Sequence, residues 1–392
     1  MTSVRQLDTS PSRWSGLAPM GMLALIGSAG MFSANIMPVL ISALREGLGY
    51  PARDAGLIGA ADVYGAAIGC ALAALLLKRL PWRLSAAAML AVLVTIDVVS
   101  PQCRAFALLL PLRFVHGLVG GVSVGIGFSV IGRTPVPDRG FGVLMCVQFC
   151  LAGLSLMVLP SLIARYGAGV PFIALALLGL LALLVVPLVP DYAGGSAAAA
   201  ALPSGSRLSA PLLLSLGGLF LFQLTKMSFY SYLFGYGHAL GLSTSFLSTV
   251  IGASAWLAGL GSLAVVALGL RYGRARLLVG MVLLAVAAYL ALLFGGGIAA
   301  VFAAAEIGAV MVWAFVAPYL FGMCAAFDAK GQMAAWSSFF SKLGMASGPA
   351  LGGLLLAETH YERLLWLAIA GIVASGCCLV WPAVLLDRQS GR

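Results

Sequence analysis

VPFIALALLGLLALLVVPLV, residues 170–189, runs for twenty positions without one charged side chain. At about 1.5 Å of rise per residue, a helix of that length covers about 30 Å, the thickness of a bilayer's hydrocarbon core. The run lacks the strict alternation of a barrel strand, which crosses in about ten residues. In lipid every backbone N–H and C=O needs an internal partner, so a run of this kind reads as a spanning helix. Comparable tracts lie on both sides of it, at about 17–44, 55–77, 84–100, 105–131, 141–163, 211–239, 244–269, 277–294, 298–326, 332–357 and 363–386. Whole-chain composition agrees. Apolar types make up 62% and charged types 9% of 392 residues, with mean hydropathy +1.07. A soluble domain carries about 25% charge to cover its surface. The predicted fold class is therefore an all-α integral membrane protein of about twelve transmembrane helices.

The longest connection, 190–210, is rich in Gly, Ala, Ser and Pro and reads as a flexible linker. It divides the chain into a tail (1–16), a first six-helix unit (17–189), the linker, a second six-helix unit (211–386) and a short tail (387–392). The net charge of +10 does not point to nucleic acid, because the basic residues sit in short loops between apolar runs. With the first tail inside, fourteen of the 22 basic residues fall on the cytoplasmic side, which predicts both termini and the linker in the cytoplasm. Arg5 and Arg13 precede a tract too long for a cleaved signal, so the first tract is expected to remain as a span. The seven cysteines include the adjacent Cys377 and Cys378 but no CxxC pair and no Cys/His cluster, so neither a metal nor a cofactor is expected.

The two halves repeat. ALLLKRLPWR (74–83) follows the second span and ALGLRYGRAR (267–276) follows the eighth, placing Arg79 and Arg271 192 positions apart. Pro160 and Pro349 stand 189 apart. A near-constant offset indicates a duplicated six-span unit, the plan of parallel-repeat transporters. At these residues the chain resembles the major facilitator superfamily over its whole length. The 74–83 stretch is similar to the family's GxxxDRxGRR loop, keeping Arg79 and Arg83 but carrying Lys78 and Pro81 in place of the acid and a glycine. The second copy keeps Arg271, Gly273 and Arg274. LRFVHGLVGG in span four resembles the family's RxxQGxxxA pattern, with Arg113 intact and His116 in place of glutamine. GMASGPALGG, Gly344 to Gly353, resembles a GxxxGPxxGG motif that antiporters of the family carry in span five; here it lies in span eleven. DAKGQMAA (328–335) is similar to the family's loop before that span. The resemblance implies gating and helix-packing roles for Arg79, Arg83, Arg271, Gly273, Arg274, Gly344, Gly348 and Pro349. Physics supports part of this independently: glycines four apart let helices approach closely in lipid, and an internal proline permits a kink.

Charges inside spans are costly and usually face a cavity or a partner. Asp62 and Arg113 lie at roughly 10–12 Å from the same membrane face, an equal depth that permits a salt bridge. Asp97 falls near the end of span three and reads as interfacial. His116, one turn from Arg113, reads as a hydrogen-bonding group or a proton relay. The repeat offset brings Asn35 near Lys226 and Arg113 near Glu306, and in the fold implied by the resemblance these four helices line a central cavity. Lys226 and Glu306 are expected to pair. Lys342 falls near mid-membrane. Span seven's aromatics and Trp313, Phe315 and Tyr319 of span ten either anchor the interface or face a planar solute.

These features predict a secondary transporter in the plasma (inner) membrane that moves a small organic solute, anionic or amphipathic and aromatic, coupled to protons and functional as a monomer. The candidate substrate and coupling residues are Asn35, Asp62, Arg113, His116, Lys226, Glu306, Trp313 and Lys342. A drug or metabolite exporter is the alternative, and a non-transporting sensor the alternative of another class. No nucleotide-binding loop and no clustered nucleophile are present, so no enzyme activity is expected. Lipids and the solute are the expected partners.

Overall fold

A computed structural model describes residues 17–76, 81–132, 137–189, 209–268, 273–327, 333–356 and 360–389. Among them every regular element is helical. The helices are α1 (Leu17–Ala29), α2 (Phe32–Asn35), α3 (Met37–Ser42), α4 (Ala52–Leu76), α5 (Trp82–Val99), α6 (Phe106–Gly132), α7 (Pro137–Tyr166), α8 (Val170–Val185), α9 (Ala210–Tyr230), α10 (Leu233–Ala239), α11 (Thr244–Leu268), α12 (Arg274–Gly295), α13 (Ala299–Ala326), α14 (Met333–Leu355) and α15 (Glu362–Gln389). Nine of the described helices are long and apolar enough to cross a membrane, and Ala18–Ala29 is a shorter apolar helix. Leu84, Leu177, Leu184 and Phe294 are all more than 60% exposed, an apolar outer surface that suits lipid and not water. The chain is a multi-pass integral membrane protein.

Two tracts that read as unbroken spans are interrupted. The first divides around Met31 and again at Ile36, then ends in a π-helical turn, Ala43–Gly47. The other divides at Ser231–Tyr232, between α9 and α10. Breaks at membrane depth are tolerated where they line a cavity or are buried in protein. Here Ser33, Ala34, Ile36, Ser231 and Tyr232 are all buried.

Close packing rests on glycine. α4 lies against α6, where a Cβ on Gly117 would strike the Asp62 backbone carbonyl and one on Gly121 that of Ala66. α14 lies against α9 in the same way, where a Cβ on Gly348 would come within 2.8 Å of the backbone of Met227 and Ser228. Removing the side chain lets the two backbones meet in van der Waals contact, the main attraction left between helices in lipid. α4 also packs on α14 and α7 on α11, joining helices before and after the 190–210 connection. At the start of α12, Gly273 adopts φ 74°, and Asp387 of α15 accepts the N–H groups of Arg274 and Ala275, each at 2.9 Å. A carboxylate there satisfies two orphan donors and complements the helix dipole.

Candidate functional site

The breaks in α1–α3 and α9–α10 flank a cavity of about 100 Å³ lined by Asn35, Gln148, Lys226, Tyr230, Ser254 and Trp313, among others. Lys226 lies with Nζ 4.7 Å from the centre of the Tyr230 ring, a cation–π contact. Trp313 donates its indole N–H to Gln223 Oε1 at 2.8 Å, while Gln223 Nε2 donates to Ser341 Oγ, also at 2.8 Å. Phe149 meets the Trp313 ring edge to face, with centroids 6.4 Å apart. One cation, fixed aromatic walls and several amides thus converge on one space.

Glu306, one turn before Val310 of the cavity wall, is 1% exposed, and its Oε1 has no hydrogen-bond partner. Among the described residues no ion pair joins it to Lys226, in contrast to the pairing expected from sequence. The Lys226 ammonium lies over the Tyr230 ring, and Glu306 lies near enough to Lys226, Tyr230 and Tyr289 to act on all three through space.

A second group of charges lies within α4, α5 and α6. Arg113 Nη2 donates to Asp62 Oδ2 at 3.0 Å and Nη1 to Asp97 Oδ1 at 2.7 Å. His116 Nδ1 is 2.8 Å from Asp62 Oδ1, and its Nε2 is 3.2 Å from Asp97 Oδ2. None of the four residues is more than 2% exposed. Phe172 closes one side, its ring centre 5.4 Å from the guanidinium. Asp97 is therefore not interfacial, as its place near the end of a span suggested. The turn Ser100–Gln102 extends its helix, and α6 covers it. The depth argument that paired Asp62 with Arg113 applies equally to Asp97, because both lie about two turns from the short connection between α5 and α6.

Lys342 points its Nζ at Met31 Sδ, 3.6 Å away across the α14–α4 side of the molecule, and not towards a membrane face. The span-seven aromatics Phe229, Tyr232, Phe234 and Tyr236 are at most 5% exposed, so they belong to the interior and not to an interfacial belt. Arg79 and Arg271 lie outside the described residues. Arg83 stacks over Trp82 at 5.7 Å and donates to the Val189 carbonyl.

Several polar contacts at one end join elements before and after residues 190–210. Arg45 Nη1 donates to Tyr361 Oη at 2.9 Å, and Tyr232 Oη donates to the carbonyls of Ala52 (3.1 Å) and Pro349 (2.8 Å). His238 Nδ1 lies 3.4 Å from Glu46 Oε1. Partial burial pushes the Glu46 carboxyl up, but His238, Ser42 and Arg45 together outweigh it and hold the group below its usual 4.5.

No protein-family model matches the sequence, and no curated protein does. Solved structures do match. A bacterial homologue of the human lysosomal transporter Spinster, in an inward-facing conformation, has a TM-score of 0.69 at 14% identity, covering 94% of this chain and 95% of that one. The nucleoside transporter NupG reaches 0.73 at 10% identity, over 93% and 99%. A D-xylose–proton symporter reaches 0.65 at 15% identity, over 94% and 95%. The chain has the major facilitator fold. Within that fold Asn35, Lys226 and Trp313 meet at the cavity, whereas Asp62, Arg113 and His116 meet apart from it. Gly344, Gly348 and Pro349 pack α14 against α9, α10 and α4. Asp97 was named in the sequence but read as interfacial, and the residues missed are Gln148 and Gln223. Neutral amides inside apolar tracts were the available signal for the last two.

Proposed function

We propose that this chain is a secondary transporter of a small organic anion, with twelve spans in two six-helix repeats and both termini in the cytoplasm of a cell's plasma membrane. It acts as a monomer and draws on the proton gradient. Lys226 carries the reading: it is a buried ammonium at the wall of the cavity, with Glu306 close enough to act on it through space but no carboxylate in salt-bridge contact among the described residues. A buried ammonium without a hydrogen-bonded carboxylate is costly, and a solute carboxylate would relieve that cost. Trp313 and Tyr230 beside it favour a solute with a planar apolar part. All three structural neighbours are transporters, which supports the transport class. In this orientation the Arg45–Tyr361 end faces outside, so the cavity would exchange with the cytoplasm.

Glu306 is the coupling acid in this scheme. Solute arriving at Lys226 removes a positive field from its neighbourhood and changes its proton affinity, and linkage makes that effect reciprocal. Purified protein in proteoliposomes, screened with labelled aromatic and aliphatic anions, zwitterions and cations under an imposed pH gradient, tests both parts. Anions should accumulate, and Lys226→Gln should abolish their binding. Glu306→Gln should lose accumulation yet keep counterflow of solute down its own gradient. Accumulation by Glu306→Gln would remove Glu306 from the coupling role, and uptake of cations alone would overturn the anion reading.

A further inference from the structure

Both ring nitrogens of His116 face carboxylate oxygens, Nδ1 that of Asp62 at 2.8 Å and Nε2 that of Asp97 at 3.2 Å, and Nδ1 also lies 2.9 Å from Arg113 Nη2. A carboxylate only accepts and a guanidinium only donates, so an imidazolium satisfies both carboxylates, whereas a neutral ring with its lone pair on Nδ1 accepts from Arg113 and gives up the Asp62 contact; the surroundings offer a partner to either state. With His116 charged, two carboxylates balance one guanidinium and one imidazolium. Loss of a single proton leaves a buried net charge of −1. In a site this dry, that charge requires a counter-cation.

One cation stands nearby. A void of about 10 Å³, room for roughly one water, is lined by Met31, Ser33 and Asp62 on one side and by Lys342 and Met345 of α14 on the other. Lys342 Nζ rests against the Met31 sulfur, a weak acceptor, and forms no ion pair among the described residues. The other elements around His116 add no charge. α1 and α2 offer Ser33, and α8 offers the Phe172 ring. α7 presents no charged group to it among the residues whose side chains are described.

We propose that Asp62, Asp97, Arg113 and His116 form a binding site for one proton, and that this proton and the ammonium of Lys342 occupy it in alternation. A protonated His116 leaves the site neutral and repels Lys342. A deprotonated one draws Lys342 across the void to Asp62, tightening α14 on α4. The void adjoins the solute cavity at Ala34 and Met345, but none of the four cluster residues nor Lys342 lines that cavity, so the inference goes beyond the anion reading and is tested apart from it.

The chain has three histidines, His116, His238 and His360. Full-length protein labelled with ¹⁵N and ¹³C at histidine, in lipid nanodiscs without any solute, gives three imidazole signals. Subtracting the spectra of His238→Gln and His360→Gln, neither of which touches the cluster, assigns the third to His116. Its signal should show two protonated nitrogens in acid and lose one proton as the pH is raised. In Lys342→Ala, and equally in Lys342→Met, that loss should move to higher pH by about one unit, because the competing charge is gone. A His116 that stays neutral from pH 5 to pH 9 overturns the proton site. An unchanged midpoint in both Lys342 variants overturns the alternation.

Discussion

Arg113 is the one guanidinium among four buried groups, and its removal differs in kind from removal of either acid. Arg113→Gln leaves two carboxylates facing one imidazole, an uncompensated buried charge that costs roughly 3–5 kcal/mol. Asp62→Asn is expected to cost less, because Asp97 still holds the guanidinium at 2.7 Å. The double variant Asp62→Asn with Arg113→Gln restores charge balance, so it should unfold at a higher temperature in detergent than Arg113→Gln alone. If the double variant melts no higher, the charge-balance account fails. Residue-level reading of the sequence reached this group only in part. Equal depth brought Asp62 to Arg113. Asp97 was lost because a position near a span's end was equated with exposure to water, whereas helix α6 covers it. Lys226 and Glu306 act on each other through space, but no salt-bridge contact joins them among the described residues. Two residues on facing helices at matching depth still point in directions set by helix rotation, which an offset between repeats does not encode.

At the scale of elements, tract length was the strongest signal. Each predicted tract holds a helix or a broken helix, since a run of apolar residues long enough to cross lipid has no other way to satisfy its backbone. The breaks after Ala29 and Tyr230 were not legible, because the tracts stay apolar across them and the cause is burial against other helices. Glycine positions carry the packing. Gly117→Ala would drive a Cβ into the Asp62 carbonyl, rigid backbone that cannot yield. Such overpacking costs typically about 1–3 kcal/mol, occasionally more. Gly322→Ala, with nothing within 4 Å, serves as the control. Thermal unfolding should separate the two clearly, and equal melting temperatures would mean that α4 and α6 can slide apart at no cost.

For the whole molecule, closure at the Arg45 end depends on a few polar contacts. Tyr232→Phe deletes the one O–H shared between the carbonyls of Ala52 and Pro349, of which Ala52 lies across the closure, at about 0.5–1.5 kcal/mol. The population should shift towards opening at that end. A single cysteine at Ser347, which faces Tyr64 at 2.7 Å, then becomes at least roughly twofold more reactive to a charged thiol reagent added on that side. Unchanged reactivity would place the closure elsewhere. The Glu46–His238 contact adds a pH dependence of known sign. Glu46 is held below 4.5, so its contribution is complete above that value and is lost as the pH falls through the lowered one. With the Glu46 side chain 48% exposed, the contribution is small and salt-sensitive. The Ser347 reporter should therefore rise in acid, and Glu46→Gln should flatten that acid limb.

The carboxylate of Asp387 reaches from the last helix to the first amides of α12. That grip ties the trailing end of the polypeptide to a helix more than a hundred positions earlier in the chain. A fluorescent protein or affinity handle fused close behind Gln389 would pull on this knot and load α12 directly. A flexible spacer ahead of the fusion would relieve the strain. Asp387→Ala should make expression far less sensitive to the length of that spacer, because the knot that transmits the tension would already be undone.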